Sequence, residues 1–170
     1  MDQTRLSVGI IGLVAALGIV GCKRSDSEFA ATQSRGAHVM GVDQYTSAHV
    51  FEDLPDGGRV ILDRDDASDT AAIATIRAHM HDIAAAFRAG DFTKPFAVHA
   101  QTVPGTAVMR ARRAAISYEP VDRPRGGEVR IRSNDPVAVA AIHEFLAFQR
   151  NAHHAAGHEG EPTVKDGKRR

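Results

Sequence analysis

The chain has 170 residues, of which 43% are hydrophobic and 25% charged, and its formal net charge is zero. This balance argues against a nucleic-acid-binding protein, because such proteins usually carry a basic excess. The absence of tryptophan and the presence of only two tyrosines leave few rings for stacking on bases or sugars. One domain of roughly 110 residues with a modest core is expected.

The N-terminus resembles a bacterial lipoprotein signal. Arg5 supplies a positive charge ahead of an apolar stretch at residues 8–20, which has signal-peptide length and is too short to span a bilayer comfortably. The stretch ends in Ile-Val-Gly-Cys, which is similar to a lipobox. The resemblance implies cleavage of residues 1–21 and lipidation of the Cys22 sulfur. We therefore expect a protein of the bacterial cell envelope, anchored to the membrane through lipid and facing the periplasm.

Cys22 is the only cysteine, so an intrachain disulfide is excluded. Once lipidated, it could not act as a nucleophile, and the domain would be held together by packing alone. Residues 22–44 are polar and show no steady period, which predicts a flexible tether between membrane and domain.

An internal repeat organises the rest of the chain. Residues 55–77 return as residues 124–146, 69 positions later, with Pro-x-Gly-Gly, then x-Val-x-aliphatic, then Ala-Ile in a helical segment. Gly-Gly after proline predicts a turn between two strands. A strand–strand–helix unit is therefore predicted twice, at about residues 47–89 and 116–153, within a single domain over 45–154.

The first helix is predicted over residues 70–89, because large apolar residues recur there at spacings of three and four. Ser68 or Asp69 is expected to cap it, and Gly90 to end it. At 100° per residue, His79 lies on the flank of the buried stripe. The stripe consists of Ile73, Ile76, Met80, Ile83 and Phe87.

A connector follows the first unit. Its residues 95–101 are predicted to be extended, and residues 106–114 to form a short helix that carries Met109 and a basic face. In the second unit, Asn134 or Asp135 is expected to cap the final helix. Residues 155–170 are rich in Gly, Glu, Pro and Lys, which predicts a disordered tail.

Two strand–strand–helix units can pair into a four-stranded antiparallel sheet with the helices packed on one face, which is an α+β fold. A pseudo-two-fold axis between the units is the simplest packing. One hairpin with one helix is too small to be stable alone. The alternative is that each unit pairs with a unit of another chain.

Catalytic motifs are absent from the sequence. It contains no Gly-rich phosphate loop, no G-x-S-x-G, no H-E-x-x-H and no C-x-x-C. We therefore favour a protein without catalytic activity. The remaining candidate functional residues are histidines and one methionine. Imidazole suits copper, zinc and nickel, and a thioether suits Cu(I).

The candidate metal ligands are His79, His99, His143, His153 and Met109. On one helix His143 and His153 would lie roughly 15 Å apart, so they cannot share an ion unless the helix ends early. A single site is expected to use His79, His99 and His143, with Met109 as a fourth group. The alternative is that each histidine caps a helix or is half-buried with a hydrogen bond.

A family resemblance rests on Ala78-His79, Gly90-Asp91-Phe92, Val98-His99, Pro104-Gly105, Met109, Ile142-His143-Glu144-Phe145-Leu146, Phe148-Gln149 and His153. Over about residues 40–155 the chain is similar to small uncharacterised bacterial exported proteins, often labelled aspartate carbamoyltransferase. The resemblance implies that the candidate ligands recur in the family, and it suggests an association with copper and heavy-metal handling. A second family histidine is replaced here by Asp82. The label itself implies two doubly wound domains and a Ser-Thr-Arg-Thr phosphate loop, for which the chain is too short.

Three hypotheses follow. The first is an envelope lipoprotein that binds a transition metal, copper ahead of zinc, for buffering, sensing or delivery. The second is a non-catalytic interaction module with structural histidines, which docks an envelope protein through the sheet or the basic connector. The third is a small hydrolase or transferase with a histidine base. If the fold brings the histidine side chains to a common point, the metal-binding hypothesis is favoured. If they lie on separate surfaces, the interaction module is favoured.

Overall fold

The computed structural model describes residues 19–155, and side chains from Ser27 onward. The predicted signal sequence up to residue 18 and the predicted tail from residue 156 lie outside the described residues. The elements in chain order are α1 (Ile19–Met40), β1 (Ser47–Leu54), β2 (Gly57–Arg64), α2 (Thr70–Ala89), α3 (Thr93–His99), α4 (Thr106–Ala111), β3 (Ile116–Arg123), β4 (Gly126–Ser133) and α5 (Pro136–His153).

The strands form one antiparallel sheet in the order β1-β2-β4-β3, so that the second strand of each hairpin lies at the centre. Helices α2 and α5 pack on one face of this sheet. Helix α2 lies mainly against β3 and β4, and α5 mainly against β1 and β2. The predicted α+β fold is confirmed, and each helix covers the hairpin of the other unit.

Positions 69 apart make equivalent backbone hydrogen bonds. The amide of Arg64 donates to the Arg125 carbonyl over 2.7 Å, and the amide of Ser133 donates to the Asp56 carbonyl over 2.8 Å. Each bond joins the end of one central strand to the turn of the opposite hairpin. The two units are therefore related by a pseudo-two-fold axis between β2 and β4.

The core lies between the sheet and the two long helices. Asp69 accepts from the Ala72 amide at the start of α2 over 3.1 Å, and Asp135 accepts from the Val137 amide at the start of α5 over 2.9 Å. These caps set the apolar stripes of both helices against the sheet. The side chains that meet there include Phe51, Leu62, Ile76, Met80, Phe87, Tyr118, Val129, Ile131, Ile142, Phe145 and Leu146.

The other face of the sheet carries ion pairs rather than helices. Side chains alternate along a strand, so these residues point away from α2 and α5. The pairs are Arg59–Glu52, Arg123–Asp63 and Arg132–Glu119. Arg59 and Arg132 each meet an acid on the neighbouring strand, whereas Arg123 of β3 reaches across β4 to Asp63 of β2. The face therefore neutralises much of its own charge.

Two segments differ from the sequence expectation. Residues 22–40, expected to be a flexible tether, belong to α1, which packs on α3 and α5. Its buried positions include Thr32, Gln33 and Gly36, which form no apolar stripe and so left no helical pattern. Residues 95–99, expected to be extended, belong to α3, where Pro95 occupies the first turn without breaking the helix.

Over residues 19–155, no helix has the combination of length and hydropathy that crossing a membrane requires.

Candidate functional site

The candidate site is a cavity of about 80 Å³ where the duplicated core meets the segments outside the repeat. A histidine enters from each of four elements: His49 from β1, His79 from α2, His99 from α3 and His153 from the end of α5. The rest of the lining is mainly apolar, with Met40 and Met80 among it. The volume has room for an ion and about two waters.

His153 is the centre of the cluster. Its ring centroid lies 5.0 Å from that of His99 and 5.3 Å from that of His49. Its Nδ1 is buried and has no hydrogen-bond partner among the described residues. An unpaired buried polar atom costs on the order of 1–3 kcal/mol, so this nitrogen calls for an explanation.

His99 is oriented by a neighbouring amide. Its Nε2 lies 2.8 Å from Oε1 of Gln149. An amide oxygen only accepts, so Nε2 is the nitrogen that carries the proton and Nδ1 keeps its lone pair. Histidines that bind metals commonly have their other ring nitrogen held in this way.

The cavity keeps its imidazoles uncharged. Burial lowers the pKa of His49 to about 4, with a further contribution from His79. Burial, followed by the charge of Lys94, lowers the pKa of His79 to about 4. Burial also lowers the pKa of His153 to about 3, aided by His49 and His99. At neutral pH these rings are bases with a free lone pair, the form that binds metals.

The pKa of His99 is lowered as well. Burial is the main cause, and the positive charge of Arg35 acts in the same direction, whereas the hydrogen bond with Gln149 opposes both. All four rings of the cavity therefore share a preference for the neutral form.

The distances between the rings agree with a shared metal ion, but the orientations of two of the rings do not. With metal–nitrogen bonds of about 2.0–2.1 Å, two imidazoles on one tetrahedral ion have centroids about 5.2 Å apart. The planes of His49 and His153 differ by only 16°, so their in-plane lone pairs do not converge. Within residues 19–155, no group of three or more His, Cys, Asp or Glu side chains is arranged to hold an ion as it stands.

Three of the five candidate ligands line this cavity: His79, His99 and His153. His143 does not. Its Nε2 lies 3.0 Å from the Leu54 carbonyl oxygen and 2.9 Å from the Gly57 carbonyl oxygen, at the turn between β1 and β2. The expected grouping of His79, His99 and His143 is therefore not found, because the hairpin of the first unit engages the His143 ring.

The equivalent turn of the second hairpin makes the same kind of contact. From α2, Arg77 donates to the Arg123 carbonyl over 2.6 Å and to the Gly126 carbonyl over 3.2 Å. Arg123 and Gly126 are 69 positions after Leu54 and Gly57, the two carbonyls that His143 meets. Each helix thus supplies a donor to the turn of the other unit's hairpin. The contacts of His143 agree with the alternative to metal binding, in which a histidine has a structural role and forms hydrogen bonds.

Met109 is fully buried within the main core, in α4, and does not line the cavity. Sequence reasoning missed His49, the fourth ring of the cluster. A signal was available, since His49 stands 69 positions before Tyr118, which is buried on the helix-facing side of β3. Extending the repeat back to the first strand of each unit would have indicated an inward-facing His49.

No protein-family model, no curated protein and no solved structure matches the chain. The resemblance to small exported proteins therefore stays a prediction, and the function is argued from the cavity.

Proposed function

We propose that this protein is a lipid-anchored envelope protein that binds a transition metal, copper ahead of zinc, through His49, His99 and His153, with His79 as a fourth ligand. The observation that carries the proposal is the buried, unpaired Nδ1 of His153, which lies among neutral imidazoles at ligand-like separations. A bound ion would give this nitrogen the partner it lacks.

Packing alone does not account for the histidines. The position equivalent to His79 in the second unit is Phe148, and the one equivalent to His49 is Tyr118. Aromatic rings therefore fill these positions in the other half of the same fold. Imidazoles in the first half add desolvation cost without adding apolar area, which favours a role for their nitrogens.

Binding requires a small rearrangement. One of the stacked rings of His49 and His153 must turn so that the lone pairs meet at a common point. We expect this rotation to use the free volume of the cavity, which is about 80 Å³. Copper is placed ahead of zinc because, for nitrogen ligands, divalent copper binds more tightly than divalent zinc.

Anchoring is the second part of the proposal. It rests on the lipobox-like sequence that ends at Cys22. Cys22 lies in α1, the helix that packs on α3 and α5. A lipid at this position would keep the domain at the membrane, where a metal carrier could exchange its ion with envelope partners.

The test is a metal titration of the full chain in detergent, with copper, zinc and cobalt, followed by native mass spectrometry. We expect one equivalent of metal to bind. His99→Phe and His153→Phe, which keep an aromatic ring in place, should each weaken binding at least about a hundredfold, because losing a ligand should cost more than losing an outer-shell partner, which costs about 10–100-fold. His81→Gln is the matched control, because the His81 side chain is 56% exposed and pairs with Asp122 outside the cavity.

No binding, or binding unchanged by both cavity substitutions, would leave the second hypothesis, an interaction module whose histidines are structural. Lipidation is tested separately by mass spectrometry of membrane-extracted protein. An unmodified Cys22 in the native host would contradict the anchor but not the metal site.

A further inference from the structure

Two thioethers line the histidine cavity, and they are held differently. Met80 is 2% exposed, and its Cγ packs so closely over Gly127 that a Cβ there would lie 2.9 Å away. Met40 ends α1 and is only partly buried. The partner of its sulfur is the Gln44 amide nitrogen at 3.8 Å, a long contact to a weak acceptor. Met80 is thus fixed in the core, whereas the Met40 sulfur can be recruited.

Helix α1 has no fully buried apolar side chain among its described residues, and polar and ring contacts help to dock it. Arg35 donates to the Val98 carbonyl of α3 over 2.6 Å, and Phe29 stacks on His154 at 4.2 Å. Thr32 and Gln33 are buried on its inner side, and Oε1 of Gln33 has no hydrogen-bond partner within the described residues. Helices α2 and α5, in contrast, bury full apolar stripes. We therefore infer that α1 is held less firmly than α2 or α5. An added contact should have a measurable effect on the docking of α1.

We propose that Met40 is a thioether ligand that makes the cavity selective for Cu(I), and that the bound ion fastens α1 to the domain. This inference rests on the proposed function, because it adds one ligand to the same histidines. Thioether sulfur is a soft ligand that prefers Cu(I) over Zn(II) or Co(II), whereas imidazole accepts all three. Among the described α1 residues that line the cavity, which are Gly36, Val39 and Met40, Met40 alone carries a ligand atom in its side chain. The preference for Cu(I) and the docking of α1 should therefore change together.

The matched variants are Met40→Leu, Met80→Leu and Met109→Leu in the full chain. Leucine keeps the volume of methionine and removes only the sulfur, a swap that cores tolerate well. Met109 is the control for a buried thioether outside the cavity. Cu(I) affinity is measured under reducing conditions against a chromophoric chelator, and Co(II) affinity by its ligand-field absorption.

We expect Met40→Leu to weaken Cu(I) binding by about tenfold or more, because one of the ligands that contribute to the binding free energy is lost. Co(II) binding should stay within about twofold of that of the unsubstituted protein. Met109→Leu should change neither. Hydrogen exchange of the α1 amides should slow when Cu(I) is added to the unsubstituted protein, and this slowing should be lost in Met40→Leu.

Two results would overturn the inference while leaving the proposed function intact. One is Cu(I) binding that is lost in His153→Phe but unchanged in Met40→Leu. The other is a loss in Met80→Leu without a loss in Met40→Leu. A chain that binds none of these ions would overturn both the inference and the proposed function.

Discussion

The ring of His153 is enclosed by other rings: His49, Phe51 and His99 all lie within 6 Å of it, centroid to centroid. Such surroundings disfavour the charged form, which makes the metal-free protein sensitive to acid. Charged side chains act on two neighbouring rings: Lys94 lowers the pKa of His79 and Arg35 lowers that of His99, whereas Asp82 raises the pKa of His79.

The metal-free protein should lose stability as the pH falls from 6.5 to about 4. In this range the unfolded chain binds protons at these histidines and the folded chain does not, so the free energy of unfolding decreases with falling pH. Each histidine that titrates adds a slope of up to about 1.4 kcal/mol per pH unit. Urea unfolding with a chelator present, at pH 7 and pH 5, measures the change.

The His153→Phe variant serves as the comparison for that measurement. It removes one titrating group, so its unfolding free energy should depend less steeply on pH over the same interval. Equal pH dependence in the two proteins would show that His153 is not held neutral by the fold.

Substitution of His143 should affect the stability of the domain and not its metal affinity. His143→Ala leaves the Leu54 and Gly57 carbonyls without their donor, which should lower the free energy of unfolding by about 1–3 kcal/mol. His143→Gln can still donate from its amide and should recover part of the loss. Metal affinity should change in neither variant, and a large drop in affinity would return His143 to the ligand set.

At the scale of elements, the hairpins depend on glycines where β2 and β4 approach closely. A Cβ on Gly126 would lie 1.9 Å from the Leu62 carbonyl oxygen, and one on Gly57 would lie 2.4 Å from the Ile131 carbonyl oxygen. Both obstacles are backbone atoms of the partner strand. The Gly-Gly pairs of the repeat therefore serve the contact between the two units as well as the turns.

Gly126→Ala should therefore destabilise the whole domain, by about 2 kcal/mol or more, because the two central strands must move apart. Ser117→Ala, at an exposed position on the edge strand β3, is the control and should have little effect. Thermal unfolding followed by circular dichroism measures both. A Gly126→Ala protein as stable as the control would mean that the central pairing is looser than the structure shows.

The described part of the molecule is a duplicated core to which α1, α3 and α4 are added. The duplication extends to ion pairs: Arg150 pairs with Asp53 over 2.9 Å, and the equivalent positions in the other unit, the exposed His81 and Asp122, also pair, over 3.2 Å. The symmetry ends at the cavity, where α1 and α3 have no counterparts in the repeat. The candidate site thus lies where duplicated and unique segments meet.

Much of the fold could be predicted from short-range patterns. The repeat indicated two hairpins and two helices, the three-and-four spacing identified the buried face of α2, and Asp69, Gly90 and Asp135 marked helix ends. These signals are local, since a cap or a turn depends on a few neighbouring residues. Helix α1 escaped prediction because its buried side is polar and small, so its packing partners define it rather than its own sequence.

The candidate site was predictable only in part. Sequence alone identified histidine and methionine as the residue types of interest, and named His79, His99 and His153, which the fold brings to one cavity. The repeat could have indicated that His49 faces inward, but nothing local indicated that His143 meets a hairpin turn or that Met40 lines the cavity. Composition and local pattern determine which side chains a chain can offer. Which of them meet depends on contacts between elements far apart in sequence, and only the tertiary structure decides those contacts.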